Sequence, residues 1–322
     1  MNITVIIPNW NGREMLRGLL KQLPAQTYPI SNIIVVDNGS SDGSAELAES
    51  MGAYALRLPE NRGFAAAVNL GLKECRTELV AIINNDVELQ PDFLERLVDG
   101  SSSEHWFATG RILNSSDHSK IDGTFDVVSR AGCAWRCGEG RADGPMWRQT
   151  RSIRMAPLTA TVLRTDLFAR AGYLDERFGS YLEDVDFGIR CASKGYTGRY
   201  VPEAVAYHRG SATLGRWNAK TIRQLARNQV LLVAKHYSSR LLLRNGWAIA
   251  LGQLLWGFVA LRHGTVLAYL GGKLEGLRLF SRMRGPFNAA VEGVMEESER
   301  ELLELQRSSG FDRYWRIYFA LT

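Results

Sequence analysis

Short apolar runs that each end abruptly in polar side chains are the feature that most narrows the folds open to this chain. Ile3-Thr4-Val5-Ile6-Ile7 is stopped by Pro8 and followed by Asn9, Asn11 and Gly12. Ile33-Ile34-Val35-Val36 runs into Asp37-Asn38-Gly39-Ser40-Ser41-Asp42-Gly43-Ser44, and Leu79-Val80-Ala81-Ile82-Ile83 into Asn84-Asn85-Asp86. Runs this short and uninterrupted read as strands buried on both faces. A further run, Tyr54–Leu58, leads to Asn61-Arg62-Gly63-Phe64. Between the strands, Met15, Leu16, Leu19, Leu20 and Leu23 have helical spacing, which predicts a helix from Arg13 to Leu23. Asp42 or Ser41 is placed to cap a second helix, and a third runs on to Cys75. Strands alternating with helices through short loops imply a parallel, doubly wound sheet up to Asp86. Ligands of such sheets bind just beyond the carboxyl ends of the strands, where the polar clusters fall. The layout suits a nucleotide, although the G-x-G-x-x-G fingerprint is absent. Asp86 carries the most information. A carboxylate with two amides offers oxygen ligands to a hard divalent cation that can hold a diphosphate. Taken alone, the triplet reads equally well as a turn.

A second constellation is Glu183-Asp184-Val185-Asp186. Written as a helix from Glu183 to Lys194, its apolar residues form no single stripe. Its acids occupy the first turn, where the helix dipole favours negative charge. His208 closes a short apolar strand, Ala204–Tyr207, and precedes Arg209-Gly210-Ser211. From the residues alone it is an ordinary strand-end histidine.

The strings TVIIPNWNG (4–12), VVDNGSSDGS (35–44), NRGFAAAVNLG (61–71), NNDVELQPDFL (84–94), FGSYLEDVDFGIRCASKGY (178–196) and VPEAVAYHRGS (201–211) stand in an order that resembles the inverting family 2 glycosyltransferases. Within them, the likeness is to the rhamnosyltransferase-like bacterial branch. The resemblance implies a GT-A fold over residues 1–212, with a Rossmann-like, mostly parallel sheet. The nucleotide-sugar half would take residues 1–100 and the acceptor half 101–212, before a basic helical region, 213–322. It implies that Asp37 lies near the nucleobase and ribose, with Pro8, Asn9, Asn38, Arg62, Gly63, Asn69, Asn84 and Asn85 around the nucleotide sugar. Asn84-Asn85-Asp86 stands where the family carries an Asp-x-Asp metal motif. With Asn at the first position, Asp86 alone brings charge to the metal, and Asn84 is left to the ribose or a metal-bound water. His208 joins the metal or diphosphate shell. Manganese suits such a mixed carboxylate, imidazole and phosphate shell, with magnesium as the alternative. Asp184 is the implied general base, since inversion needs a carboxylate opposite the leaving group. Glu183 would orient the acceptor or support that base, and Asp186 reads better as a helix-terminal charge.

The implied donor is a nucleotide sugar, dTDP-rhamnose-like or UDP-hexose-like, and the acceptor a lipid-linked glycan or polysaccharide of the cell surface. Two other readings stand beside it. Processive polysaccharide synthases carry Gln-x-x-Arg-Trp and several spanning helices, whereas Gln224-Leu225-Ala226-Arg227-Asn228 lacks the Trp. A non-catalytic nucleotide-sugar binder is disfavoured by the presence of both Asp86 and Asp184.

Length and charge bear on the rest of the chain. With 322 residues, 45% of them hydrophobic, it can bury one large core with an appended helical region. Cys75, Cys133, Cys137 and Cys191 have neither Cys-x-x-Cys nor zinc spacing and are expected to pack. Met1 runs straight into the first strand without a signal peptide, so the expected setting is cytoplasmic, at the inner face of the membrane. The stretch from Asp122 to Gly144 is expected to form hairpins and loops over the acceptor side, with Trp135 and Trp147 either buried or stacking on a sugar. From Arg209 to Arg284 there are thirteen Lys or Arg against Glu275 alone. That segment is +12 in a chain of +5, which leaves −7 elsewhere. It also holds the apolar run Gly246–Leu261, too short to span a bilayer. Such a run suits an anionic membrane surface, a buried helix or a homodimer contact. No nucleic-acid motif accompanies the basic segment.

Overall fold

The computed structural model describes residues 1–101, 104–210, 217–286 and 288–322; Ser211 and the expected boundary at 212/213 lie outside the described residues. The first part alternates as the apolar runs require: β1 (Ile3–Asn9), α1 (Arg13–Gln22), β2 (Asn32–Asp37), α2 (Ser44–Ser50), β3 (Tyr54–Arg57), α3 (Phe64–Glu74) and β4 (Leu79–Ile83). The four strands are parallel in the order β3-β2-β1-β4. Alternate residues of β1 serve the two faces. Ile3, Val5 and Ile7 pack with Leu16, Leu19 and Leu20 of α1, while Ile6 packs with Val68 and Leu72 of α3. Burial on both sides is why these strands show no polar alternation.

Pro8 was expected to stop β1, yet the strand continues through it to Asn9. The reason lies in the pairing. The Asn9 carbonyl accepts the Asn38 N–H, so alternation turns the Pro8 nitrogen toward β4. There β1 is paired only as far as Ile6, and no ladder bond is lost. The cap of α2 is Gly43 and not Asp42 or Ser41; Asp42, one residue earlier, instead accepts from the first N–H of two helices, Ser44 at 3.1 Å and Arg13 at 2.9 Å.

The chain continues through β5 (Val87–Leu89), α4 (Phe93–Gly100), β6 (Phe107–Asn114), β7 (Asp117–Gly123), β8 (Asp126–Val128), β9 (Ala134–Arg136), β10 (Arg151–Ile153), β11 (Ala160–Arg164), α5 (Asp166–Ala171), α6 (Glu183–Ala192) and β12 (Gly198–His208). The main sheet runs β10-β12-β6-β11-β4-β1-β2-β3, with β11 antiparallel between β4 and β6. It is therefore mixed, though mostly parallel. β8 and β9 form a separate hairpin. Trp135 and Trp147 are buried edge to face, with centroids 6.4 Å apart, and belong to the core. All four cysteines are buried thiols.

The C-terminal part is helical: α7 (Ala219–His236), α8 (Ser239–Arg244), α9 (Gly246–Arg262), α10 (Val266–Met283), α11 (Ala290–Ser309) and α12 (Arg313–Leu321). Among the described residues no helix is long and apolar enough to cross a membrane. α7 and α10 approach closely at Gly272, where any Cβ would overlap the Arg223 carbonyl.

Asp186, read from sequence as a helix-terminal charge, is a fully buried hub between α6 and α7. It accepts from Arg190 Nε at 3.0 Å and Lys235 Nζ at 2.9 Å, and pairs with His236 Nε2 at 2.8 Å. Burial alone would raise its pKa, but His236, Arg190 and Lys235 outweigh that and hold it well below the usual carboxylate range. Asp175 shares Lys235 at 2.7 Å; burial acts upward on it too, but Arg177 and Lys235 lower it to about 2. A depressed native pKa stabilises the fold above the unfolded value of about 4, and that contribution is lost as pH falls from there toward the native value. Denaturant titrations should therefore show stability dropping between about pH 5 and pH 2. Asp186→Asn should cost about 3–5 kcal/mol at pH 7 and flatten that acid limb. An unchanged acid limb in Asp186→Asn would place the linkage elsewhere.

Candidate active site

The carboxyl ends of β1, β2 and β4 bring their polar residues into one hydrogen-bonded group. Asn85 Nδ2 donates to Asn9 Oδ1 at 2.6 Å, and Asn9 Nδ2 reaches Asp37 Oδ1 and Ser40 Oγ at 3.5 Å each. Pro8 precedes Asn9 in β1, and Pro8 and Asn9 stand in register with Val36 and Asp37. Asn38 fastens the next loop: its amide donates to Gly63 O at 3.0 Å, and its carbonyl accepts the Arg62 N–H at 2.9 Å. Gly63 has φ +89°, and a Cβ there would lie 2.7 Å from the backbone of Gly179. Only glycine fits at that crossing of two loops. The Arg62 side chain pairs with Glu176 at 3.2 Å. Asn69 is occupied within the fold, bonded to the backbone of Leu174 at both ends of its amide and to Glu176. Its polar atoms serve the chain, not the strand-end cleft.

Asp86 and His208 meet, with Asp86 Oδ1 3.1 Å from His208 Nε2. The other ring nitrogen, Nδ1, is 2.8 Å from Asp122 Oδ2, a residue the motifs did not indicate. Burial lowers the imidazole pKa, but hydrogen bonds to Asp122 and Asp86 carry it up to about 9. This arrangement fits a divalent cation on two counts. Ligands bound at about 2.1 Å and at right angles lie about 3 Å apart, as Nε2 and Oδ1 do here. A carboxylate on the far ring nitrogen is the usual device for orienting a metal-ligating histidine. Among the described residues no three His, Cys, Asp or Glu side chains gather to hold a metal. Asn84 adds a buried Oδ1 that has no hydrogen-bond partner, an acceptor left for a ligand.

Asp184 and Glu183 open α6. Asp184 Oδ1 accepts the Val185 N–H at 2.8 Å, and Oδ2 lies 3.6 Å from Arg136 Nη2. Arg136 Nε is also 3.5 Å from Asp126 Oδ1, its register partner on β8. Burial pushes the Asp126 carboxyl up, with Arg136 opposing and Asp184 adding to the rise. Glu183 is raised further by burial and by Asp184, and its Oε2 has no hydrogen-bond partner among the described residues. Arg136 also senses Asp122, and its Nη1 reaches Thr159 Oγ1 at 3.5 Å. The Thr159 carbonyl in turn accepts the Asn84 N–H at 2.8 Å. Arg136 and Thr159 thus link the strand-end cluster to the acids of α6. Asp122, Asp126 and Arg136 lie on β7 to β9, where no motif string falls; their one sequence signal is charge within an otherwise glycine-rich, apolar stretch.

The backbone entering α6 is strained. Tyr181 and Leu182 both adopt the left-handed region, at φ 71° and 66°. The loop is held from α7: Asn228 Nδ2 donates to the carbonyls of Phe178, Ser180 and Tyr181 at 2.9, 2.8 and 2.6 Å. Arg227 Nη2 also donates to Phe178 O at 2.7 Å, and Gln224 Nε2 to the same oxygen at 3.4 Å.

Residues 4–125 match the family described as Glycosyl transferase family 2, and residues 79–280 match Glycosyl transferase family group 2, more than half of the chain. The chain is 25% identical, over 291 residues, to N-acetylglucosaminyl-diphospho-decaprenol L-rhamnosyltransferase of Mycobacterium tuberculosis, covering 81% of this chain and 91% of that protein. In fold it resembles GalNAc-T7 solved with UDP, GalNAc and Mn2+, with a TM-score of 0.65, 13% identity and coverage of 94% of this chain and 57% of that one. A mannosyltransferase from Pyrobaculum calidifontis, solved with GDP-Man and Mn2+, gives a TM-score of 0.54 and 16% identity, covering 99% and 86%.

Asn228→Ala removes the donor shared by three loop carbonyls. Its expected effect is faster amide hydrogen exchange confined to residues 177–184, with a stability loss of about 1–3 kcal/mol. Exchange that rose equally in β1 to β4, or did not change, would show that Asn228 does not hold this loop.

Proposed function

The chain belongs to the family 2 glycosyltransferases and has their GT-A fold, and on that premise we propose that it moves a sugar, with inversion, from a nucleoside-diphosphate donor to a lipid-linked glycan. The observation that carries this is the closeness of two groups: the Asp86–His208 pair at the strand ends, and Asp184, whose partner Arg136 reaches Thr159, the residue bonded to Asn84. In this reading the strand-end group serves the leaving diphosphate and Asp184 the proton of the acceptor.

In this reading Asp37 and Asn38 hold the nucleobase and ribose, while Asn84 and Asn85 meet the ribose or the sugar. Pro8, Asn9, Arg62 and Gly63 shape that pocket, and Asn69 fixes its floor from within. Asp86 and His208 would hold a divalent cation, Mn2+ or Mg2+, which supplies positive charge to the departing diphosphate. Asp184 takes the proton of the attacking acceptor hydroxyl. The new C–O bond forms at the anomeric carbon as the bond to the diphosphate oxygen breaks, its electron pair leaving with that oxygen. Arg136, 3.6 Å from its Oδ2, orients Asp184 for this role. Glu183, buried beside it, orients the acceptor or supports the base.

The M. tuberculosis relative is named for rhamnosyl transfer to a diphospho-polyprenol glycan, which supports a dTDP-rhamnose-like donor over a UDP-hexose and a lipid-linked acceptor over a free one. Processive synthesis has less support, because the Gln224–Asn228 segment binds loop backbone and lacks the tryptophan.

Three measurements test the reading. Thermal shift with nucleoside diphosphates and manganese should reveal donor binding by mass action. Asp86→Ala should abolish the metal-dependent part of that shift and lower transfer by roughly 100-fold or more. Full activity of this variant in chelator would refute the metal assignment. Asp184→Asn should bind donor normally while turnover falls roughly 100- to 10,000-fold, because the amide cannot accept the proton. Near-normal turnover in Asp184→Asn would move the base to another carboxylate. Donor binding without any release of nucleoside diphosphate by the unmodified protein would leave a binding protein instead of an enzyme.

A further inference from the structure

Exposed large apolar side chains are unevenly distributed. Of the fourteen among the described residues, nine fall between Leu243 and Leu277. On α9 they are Trp247, Leu254, Phe258 and Leu261; on α10 they are Leu267, Leu270, Leu274 and Leu277. Each set recurs at intervals of three, four or seven residues, so each forms one stripe along its helix. The opposite faces are already used. Ala248, Leu251 and Leu255 of α9 are in the core, and Tyr269, Gly272 and Gly276 of α10 are buried, the two glycines against α7. The exposed stripes are therefore additional to what the fold needs, and Leu267 is 82% exposed.

The charges around them are of one sign. Arg240, Arg262, Arg278 and Arg282 are exposed and have no carboxylate partner among the described residues. Glu275, the one acid of the segment, is turned to α7, where it pairs with Arg223 at 3.1 Å and Arg227 at 3.4 Å. We infer that the α9–α10 hairpin is a docking surface for an anionic lipid bilayer, lying in the interface with its Leu, Trp and Phe side chains inserted and its unpaired arginines at the headgroups. An apolar helix face bordered by cations is the pattern such interfaces bind. The stripe spacing also suits a helix from a second copy. Charge argues against that occupant, because a two-fold contact would bring the same unpaired arginines face to face. The inference goes beyond the transfer reaction, and its test does not measure transfer, so either can fail without the other.

Co-sedimentation of the full chain with vesicles of phosphatidylglycerol and phosphatidylcholine, against pure phosphatidylcholine, is the test. Binding should require the anionic lipid. Each cation held at such a surface contributes roughly fivefold, so Arg278→Gln with Arg282→Gln should weaken binding roughly 25-fold at low salt. Leu270→Glu with Leu274→Glu should weaken it by at least about tenfold at every salt concentration, through lost insertion. All four positions are solvent-facing, and circular dichroism checks that each double variant is folded; the arginine pair decides the matter if the leucine pair is not. No sedimentation of the unmodified chain at low salt would overturn the proposal. So would equal binding to neutral vesicles, or leucine and arginine variants that bind as well as the parent. A dimer in sedimentation velocity that the leucine variant dissolves, without vesicle binding, would assign the face to a second copy.

Discussion

The grip of Asn228 on the loop before α6 is the interaction on which the site depends. Two consecutive non-glycine residues in left-handed backbone cost on the order of 1–3 kcal/mol each and persist only when neighbours impose them. Here the imposing neighbour is one amide on α7, with two hydrogens shared among three carbonyls, seconded by Gln224 and Arg227. The strained turn aims the start of α6, and with it Glu183 and Asp184. α7 is thus part of the site's framework, although it lies in the C-terminal region beyond the sheet. It is itself clamped to α6 by the Asp186, Arg190, Lys235 and His236 network and to α10 by the close approach at Gly272.

A second constraint is electrostatic. Asp86, Asp122, Asp126, Glu183 and Asp184 bring five carboxyl groups into one region, which like-charge repulsion opposes. His208 engages Asp86 and Asp122 through its two ring nitrogens, and Arg136 sits between Asp126 and Asp184, which offsets part of it. Burial favours the neutral form of Glu183 and raises Asp126. The consequence is a graded site: Asp184 lies near an arginine and is only partly enclosed, whereas Glu183 beside it is sealed.

The C-terminal helices combine this internal role with an unusual exterior. Their inner faces are largely apolar and buried, with glycines where α10 meets α7. The outer faces of α9 and α10 carry exposed leucines, and Arg262, Arg278 and Arg282 there have no carboxylate partner among the described residues. A soluble chain exposes scattered apolar residues as a matter of course, but stripes on two consecutive helices are another matter.

Local order was legible in the sequence wherever one residue pattern had one structural meaning. The apolar runs marked β1, β2 and β4, because a strand buried on both faces has no other signature. The polar clusters behind them marked the cleft, because parallel strands share a carboxyl edge. Both Asp86 and His208 stood in motif strings, and the fold brings them within 3.1 Å of each other. What the sequence could not carry were the relations between segments distant in the chain. Asp122, Asp126 and Arg136 belong to the site only because β7 to β9 fold back over the strand ends, and no local pattern encodes that return. Asn69 and Asp186 sit within motif strings, yet tertiary packing turned both inward, Asn69 to the backbone of Leu174 and Asp186 to Arg190, Lys235 and His236 on two helices. The continuation of β1 through Pro8 was decided by where β4 stops pairing. The sequence by itself determined the strands, their polar ends and the charge of the C-terminal region; only the tertiary structure decided which of those polar groups still had a free bond to offer, because hydrogen-bond capacity is allotted by neighbours in space.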